Sequence, residues 1–194
     1  MFIEKSKNQL QNDPRKRFVS LAEEGKLSEM QLLANEIKDD QERAALLAYK
    51  DSDGYTALHR ASYSNQLEVA KYLISLEKRS IRIFNMPISQ LDAKTDMGWT
   101  PLHSASYWNA FTVVDYLINS AHSNVNSSSN SGQTPLHVAA QQSNNRETLI
   151  LLLMHPFVDY SIKNHQNETS KEIAQRSCKH NALFEIAEDY LNRL

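Results

Sequence analysis

Gly54-Tyr55-Thr56-Ala57-Leu58-His59-Arg60-Ala61 recurs as Gly98-Trp99-Thr100-Pro101-Leu102-His103-Ser104-Ala105 and again as Gly132-Gln133-Thr134-Pro135-Leu136-His137-Val138-Ala139. The threonines stand 44 and then 34 residues apart, so one structural unit is copied along the chain. Each residue of the unit has a physical task. Threonine is a good helix N-cap, and proline fits the first helical position, where its missing N–H costs nothing. Glycine two residues earlier supplies the positive φ of a tight turn. Leucine faces the core, and alanine lets neighbouring units approach closely. A second helix follows each copy, with apolar residues at helical spacing. These are Leu67, Val69, Ala70, Leu73 and Ile74, then Phe111, Val113, Val114, Leu117 and Ile118, then Leu149, Leu152 and Leu153.

Two weaker copies flank these three. Thr169 lies 35 residues after Thr134, and Asn167 stands in the glycine slot, where asparagine tolerates a left-handed backbone. Thr169-Ser170-Lys171-Glu172 reads as a capping box, with Glu172 in the histidine slot. Ala182 to Leu194 supplies a last amphipathic helix, polar on its outer side. Upstream, Asn12-Asp13-Pro14 offers a helix start, and a helix pair over Arg17 to Ile37 breaks near Gly25. Aligning Leu27 with Leu67 puts this copy's motif start near Lys16.

A period near 33 residues with Thr-Pro-Leu-His-x-Ala is the signature of ankyrin repeats, and the chain resembles that family. The resemblance implies an all-α solenoid of about five helix-turn-helix repeats, the outer two being degenerate caps. They fall near 13–50, 51–91, 92–125, 126–160 and 161–194, after a flexible N-terminal arm over 1–12.

Two departures stand out. The 44-residue gap leaves roughly 11 extra residues between Leu76 and Leu91, measured against the ~33-residue norm. They form either an extended helix with a loop tucked against the stack, the reading we favour, or a docking finger exposing Ile81, Ile83 and Phe84. Before Asp51, Arg43 to Tyr49 adds a helical turn. The Ser/Asn-rich run Ser123 to Ser131 is no insertion, because its spacing is normal.

Composition narrows the function. Hydrophobic residues at 41% and charged residues at 23% suit a soluble globular chain. A formal charge of −2 offers no general attraction for nucleic acid or an acidic membrane. Apolar runs such as Thr148 to Met154 fall far short of the ~20 residues that span a bilayer. The single cysteine, Cys178, and the lack of an apolar leader point to the cytosol or nucleus. The basic cluster Pro14-Arg15-Lys16-Arg17 reads as a solvated face before it reads as a nuclear-import signal.

Chemistry is not evident. All four glycines, at 25, 54, 98 and 132, belong to repeat turns, leaving none for a phosphate-binding loop. His59, His103 and His137 share one phase of successive units, about 8–10 Å apart. Zinc ligands converge within about 2.1 Å of one ion, so these histidines are expected to bond near helix starts instead. Cys178 lacks a nearby Cys partner, and no catalytic residues, metal or cofactor are expected.

In ankyrin-fold proteins the partner lies along a concave side made of turn tips and the shorter helices. Carried onto matching positions, the resemblance selects Asp53, Tyr55 and Tyr63, then Asp96, Met97, Trp99, Tyr107 and Trp108, then Gln133 and Gln141. Independently, these slots hold both tryptophans of the chain, and Trp and Tyr dominate binding energy at interfaces. Asp53 and Asp96, with Arg60, are expected to form a polar rim. The expected function is a non-catalytic module that grips another protein, acting as a monomer when free, in the nucleus and/or cytoplasm. A narrower likeness within the family further implies a transcription-associated nuclear role. It is carried by Asp96 to Ala105 with Trp108-Asn109, and by Leu151 to Met154, Lys163-Asn164, Glu168-Thr169, Ile173-Ala174 and Leu183 to Ile186. The competing reading is a constitutive structural or chaperone-like subunit of a complex.

Overall fold

Five of the chain's helix starts repeat one local solution. The computed structural model, which describes residues 13–84 and 89–191 (side chains 13–78 and 89–189), has eleven α-helices among the described residues. Asp13 caps α1 (Pro14–Glu24), and Thr56, Thr100, Thr134 and Thr169 cap α4 (Ala57–Tyr63), α6 (Pro101–Tyr107), α8 (Pro135–Ala140) and α10 (Ser170–Ser177). These five helices pack in sequence as one row, α1 on α4, α4 on α6, α6 on α8 and α8 on α10. The second row is α2 (Leu27–Glu36), α5 (Leu67–Phe84), α7 (Phe111–Asp115), α9 (Arg146–Leu153) and α11 (Ala182–Leu191), again packed neighbour on neighbour. The result is an all-α solenoid in which each hairpin buries its apolar faces against the next.

The core lies between the rows. Leu58, Leu102 and Leu136 of the repeated motif are buried, as are Ala61, Ala105 and Ala139. Leu73, Ile74, Leu117, Leu149 and Leu152 meet them from the second row. Truncating any of these leucines to alanine costs about 2–5 kcal/mol by the lost transfer energy and the cavity left.

Four expectations need correction. The first helix begins at Pro14, as Asn12-Asp13-Pro14 offers, but the motif register near Lys16 does not hold, because Asp13 takes the capping place and accepts from the Arg15 N–H at 2.9 Å. Arg43 to Tyr49 is more than an added turn. It belongs to a separate helix, α3 (Asp40–Ala48), nucleated by Asp39 and packed on α1 and α5. Phe111 is not a core residue but 42% exposed at the start of α7, while Val113 and Val114 take the interior. The terminal helix is also less polar outside than expected, because Ile186 is 63% exposed.

The extra residues after Leu76 prolong α5 to Phe84, which fits the extended-helix reading. The chain returns through a 3-10 turn, Gln90–Asp92. The side chains of Ile81, Ile83 and Phe84, like the arm over 1–12, lie outside the described residues.

Candidate partner-binding site

The tips that join one hairpin to the next are built by a slot five residues before each capping threonine: Asp51, Thr95, Ser129 and Asn164. In every case its backbone N–H donates to the carbonyl four residues on, at 2.9 Å. Its side-chain oxygen accepts the returning N–H of Tyr55, Trp99, Gln133 or Glu168 at 3.0–3.1 Å. Gly98 in the second tip has φ 77°, and a Cβ there would stand 2.6 Å from the backbone N of Asn130. Only glycine lets the third tip approach closely enough for Asn130 N–H to donate to the Met97 carbonyl at 3.0 Å.

Histidine locks these tips from behind. The Nδ1 atoms of His59, His103 and His137 accept from the backbone N–H of their capping threonines at 3.2–3.3 Å. Their Nε2 atoms reach the next tip, meeting the carbonyls of Trp99, Gln133 and Glu168 at 2.9–3.1 Å. Both bonds require the neutral ring protonated on Nε2. Burial enforces that state, pulling His59 and His103 down to about 4 and lowering His137. These histidines are inter-repeat staples, and among the described residues no cluster of His, Cys, Asp or Glu could hold a metal ion.

On the row of first helices, aromatic rings form a continuous strip. Tyr63 meets Trp108 edge-on at 4.7 Å, Trp108 meets Tyr107 at 5.2 Å, and Tyr107 meets Trp99 at 5.3 Å. Trp108 is 51% exposed, and Tyr55, Tyr63, Trp99 and Tyr107 are half-buried. Packing on one another fixes their orientation without removing them from solvent, which keeps the entropy cost of ordering them low on contact. Beside the strip, Met97 is 57% exposed, Asp96 is exposed, and Gln133 and Gln141 are half-buried.

Arg60 organises the first end of the strip. Its guanidinium bonds Asp51 at 2.7–2.8 Å and Asp53 at 3.1 Å, and stands 4.6 Å over the Tyr55 ring. Arg60 is thus shared between Asp51 and Asp53, and the Asp53 side chain stays 64% exposed. The Asp96 carboxylate has no cationic partner among the described residues. An open cleft of about 630 Å³ continues past Arg60, lined by Lys16, Ser20, Glu23, Tyr49 and Lys50.

Models described as ankyrin repeats match residues 18–74 (many copies) and 80–164 (3 copies). The chain belongs to the ankyrin-repeat family. It is similar to Ankyrin repeat domain-containing protein 49 of Mus musculus, 37% identical over 183 residues that cover 94% of this chain and 69% of the relative. It is likewise similar to the protein of that name from Bos taurus, at 36% over 185 residues, and from Homo sapiens, at 35% over 185 residues, with the same coverage.

Of the ankyrin positions selected from the sequence, the structure brings Tyr63, Trp99, Tyr107 and Trp108 into one strip, with Tyr55 joined through Arg60 and His59. Gln133 is anchored by its backbone to His103 and Ser129. Sequence reasoning missed the tip slot itself, whose members differ in type but share spacing from the threonine. It also missed Asn145, a buried amide that donates to the carbonyls of Ser106, Tyr107 and Ala139 at 2.7–3.4 Å and ties α9 to α6. No helix among the described residues is long and apolar enough to cross a membrane.

Proposed function

We propose that this ankyrin-repeat protein is a non-catalytic adaptor whose partner lies along the tips and first-row helices, on Tyr55, Tyr63, Met97, Trp99, Tyr107 and Trp108. Asp53, Asp96, Gln133 and Gln141 supply the polar contacts. The observation that carries the reading is the ring strip, held by edge contacts and still open to solvent. Burying several such rings on a partner yields 2 kcal/mol or about that from each residue at an interface centre. The family membership supports a protein partner, and the chain acts as a monomer until it meets one. The transcription-associated, nuclear role implied by the resemblance is the finer form of this proposal. Imaging of a fluorescent fusion in cells tests it, and exclusion from the nucleus would contradict it. In the basic cluster Arg15 is paired with Asp13 at 2.8 Å and Arg17 with Glu29 at 3.5 Å, which supports the solvated-face reading of those residues.

The test is affinity capture with the wild-type chain beside a Tyr55→Ala, Trp99→Ala variant whose helicity is checked by circular dichroism. Partners bound through the strip are lost from the folded variant. Retention of every partner would place the binding surface elsewhere. Because the only tryptophans, Trp99 and Trp108, both lie in the strip, a purified partner should also shift the intrinsic emission.

A further inference from the structure

A different surface lies on the second row. Leu67 of α5, Phe111 of α7, and Ile150 and Leu151 of α9 line an open furrow of about 500 Å³. Leu67, Ile150 and Leu151 are only half-buried, and Phe111 is exposed. Nothing in the core needs Phe111, because Val113 and Val114 already close the interior of α7.

The rim is charged in one sense. Asp115 and Glu147 both line the furrow, and no cation lines it. Among the described residues Asp115 accepts from the Asn119 amide at 2.8 Å, and Glu147 from its own backbone N–H and from the Asn109 amide at 3.2 Å. Of the cations close along the chain, Lys71 is taken by Glu68 at 2.7 Å, and Arg146 forms no ion pair among the described residues. Two carboxylates and no cation therefore line the apolar floor, with Arg146 and His180 acting on Glu147 only from outside the furrow.

We infer that this furrow is a second docking surface, for an amphipathic helix of a partner protein with an apolar stripe and lysine or arginine at its edges. The spacing suits a helix. Phe111 and the Ile150–Leu151 pair sit on adjacent helices, whose axes lie about 8–10 Å apart. Two turns of an occupying helix rise about 11 Å, so anchors seven residues apart reach both helices at once. Basic residues beside those anchors meet Asp115 and Glu147. This surface does not depend on the aromatic strip, which lies on the other row.

The experiment uses the full chain and two synthetic helical peptides of the same leucine stripe, one with lysine and one with glutamate on its polar positions. Amide shifts in NMR spectra report where each binds. The lysine peptide should shift Leu67, Phe111, Thr112, Ile150 and Leu151, and the glutamate peptide should bind at least about tenfold more weakly. Phe111→Ser should abolish binding, and Asp115→Asn and Glu147→Gln, both surface changes that leave the fold intact, should each weaken it about two- to fivefold. Tyr55→Ala, Trp99→Ala should leave it unchanged, which separates this surface from the strip. Equal binding of both peptides, shifts confined to the first row, or a dimer by light scattering that Phe111→Ser dissolves would each overturn the assignment.

Discussion

His59 and His103 carry more of the architecture than their small share of the core suggests. Each holds its own helix start and the backbone of the next tip, and each is neutral because burial pulls it down to about 4 from an ordinary 6.5. In the unfolded chain the same rings protonate near pH 6.5, so acidification feeds protons to the unfolded state first. Stability from these residues is complete above that pH and is lost as the pH falls toward 4. At about pH 5 each ring should have forfeited about 2 kcal/mol. Urea unfolding at about pH 7 and about pH 5, still above the main carboxylate range, measures the loss. In a His103→Gln variant the drop between the two should be visibly smaller than in wild type. An undiminished drop would remove His103 from the account. The effect also bears on binding, because His59 holds the Trp99 carbonyl and His103 the Gln133 carbonyl.

Between the two helices of a hairpin, the turn is set by asparagine in the central repeats. Asn65 and Asn109 sit at φ 55° and 54°, and their side chains look sideways to the next hairpin. Asn109 Oδ1 accepts from the Thr148 hydroxyl at 2.9 Å and from its N–H at 3.4 Å, so one residue both reverses the chain and caps a neighbouring helix. Asn109→Gly keeps the left-handed backbone but loses the acceptor, whereas Asn109→Ala loses both. Asn109→Ala should therefore cost about 1–2 kcal/mol more than Asn109→Gly in thermal or urea melts. Equal costs would show that backbone strain is not the issue. These elements divide cleanly in what the sequence revealed. The helix starts were legible because Thr-Pro-Leu-His acts locally, within one turn. The second role of Asn109, the buried Asn145 clamp and the exposure of Phe111 were not, because each depends on which residue a different repeat brings alongside. The helix α3 fell between: Asp39 and Glu42 announce a helix start, but no copy of α3 exists elsewhere to give it a register.

Across the whole molecule the same limit governs the candidate site. The aromatic residues were legible as positions in a repeat, while their joining into one strip and the neutralisation of Arg60 by Asp51 and Asp53 arise only when repeats stack. Stacking also makes stability local, since each hairpin contacts only its neighbours. The N-terminal end offers a sharp case. Gln90, buried where the extra segment returns, donates its amide to the Leu47 carbonyl at the end of α3, while its own N–H donates to the buried Glu77 carboxylate at 2.5 Å. One residue thus clasps α3, the prolonged α5 and the returning chain. Gln90→Ala cuts the side-chain link and keeps the backbone bond to Glu77. Hydrogen exchange followed by mass spectrometry should then show faster exchange across Asp40–Ala48, with Pro135–Ala140 and Ser170–Ser177 unaltered, because neither helix touches the clasp. If protection instead falls equally in α8 and α10, the stack unfolds as one block and its ends are not independent of its centre. Retained protection over α6 and α8 with loss over α3 would mean that α3 can loosen while Trp99, Tyr107 and Trp108 stay in place.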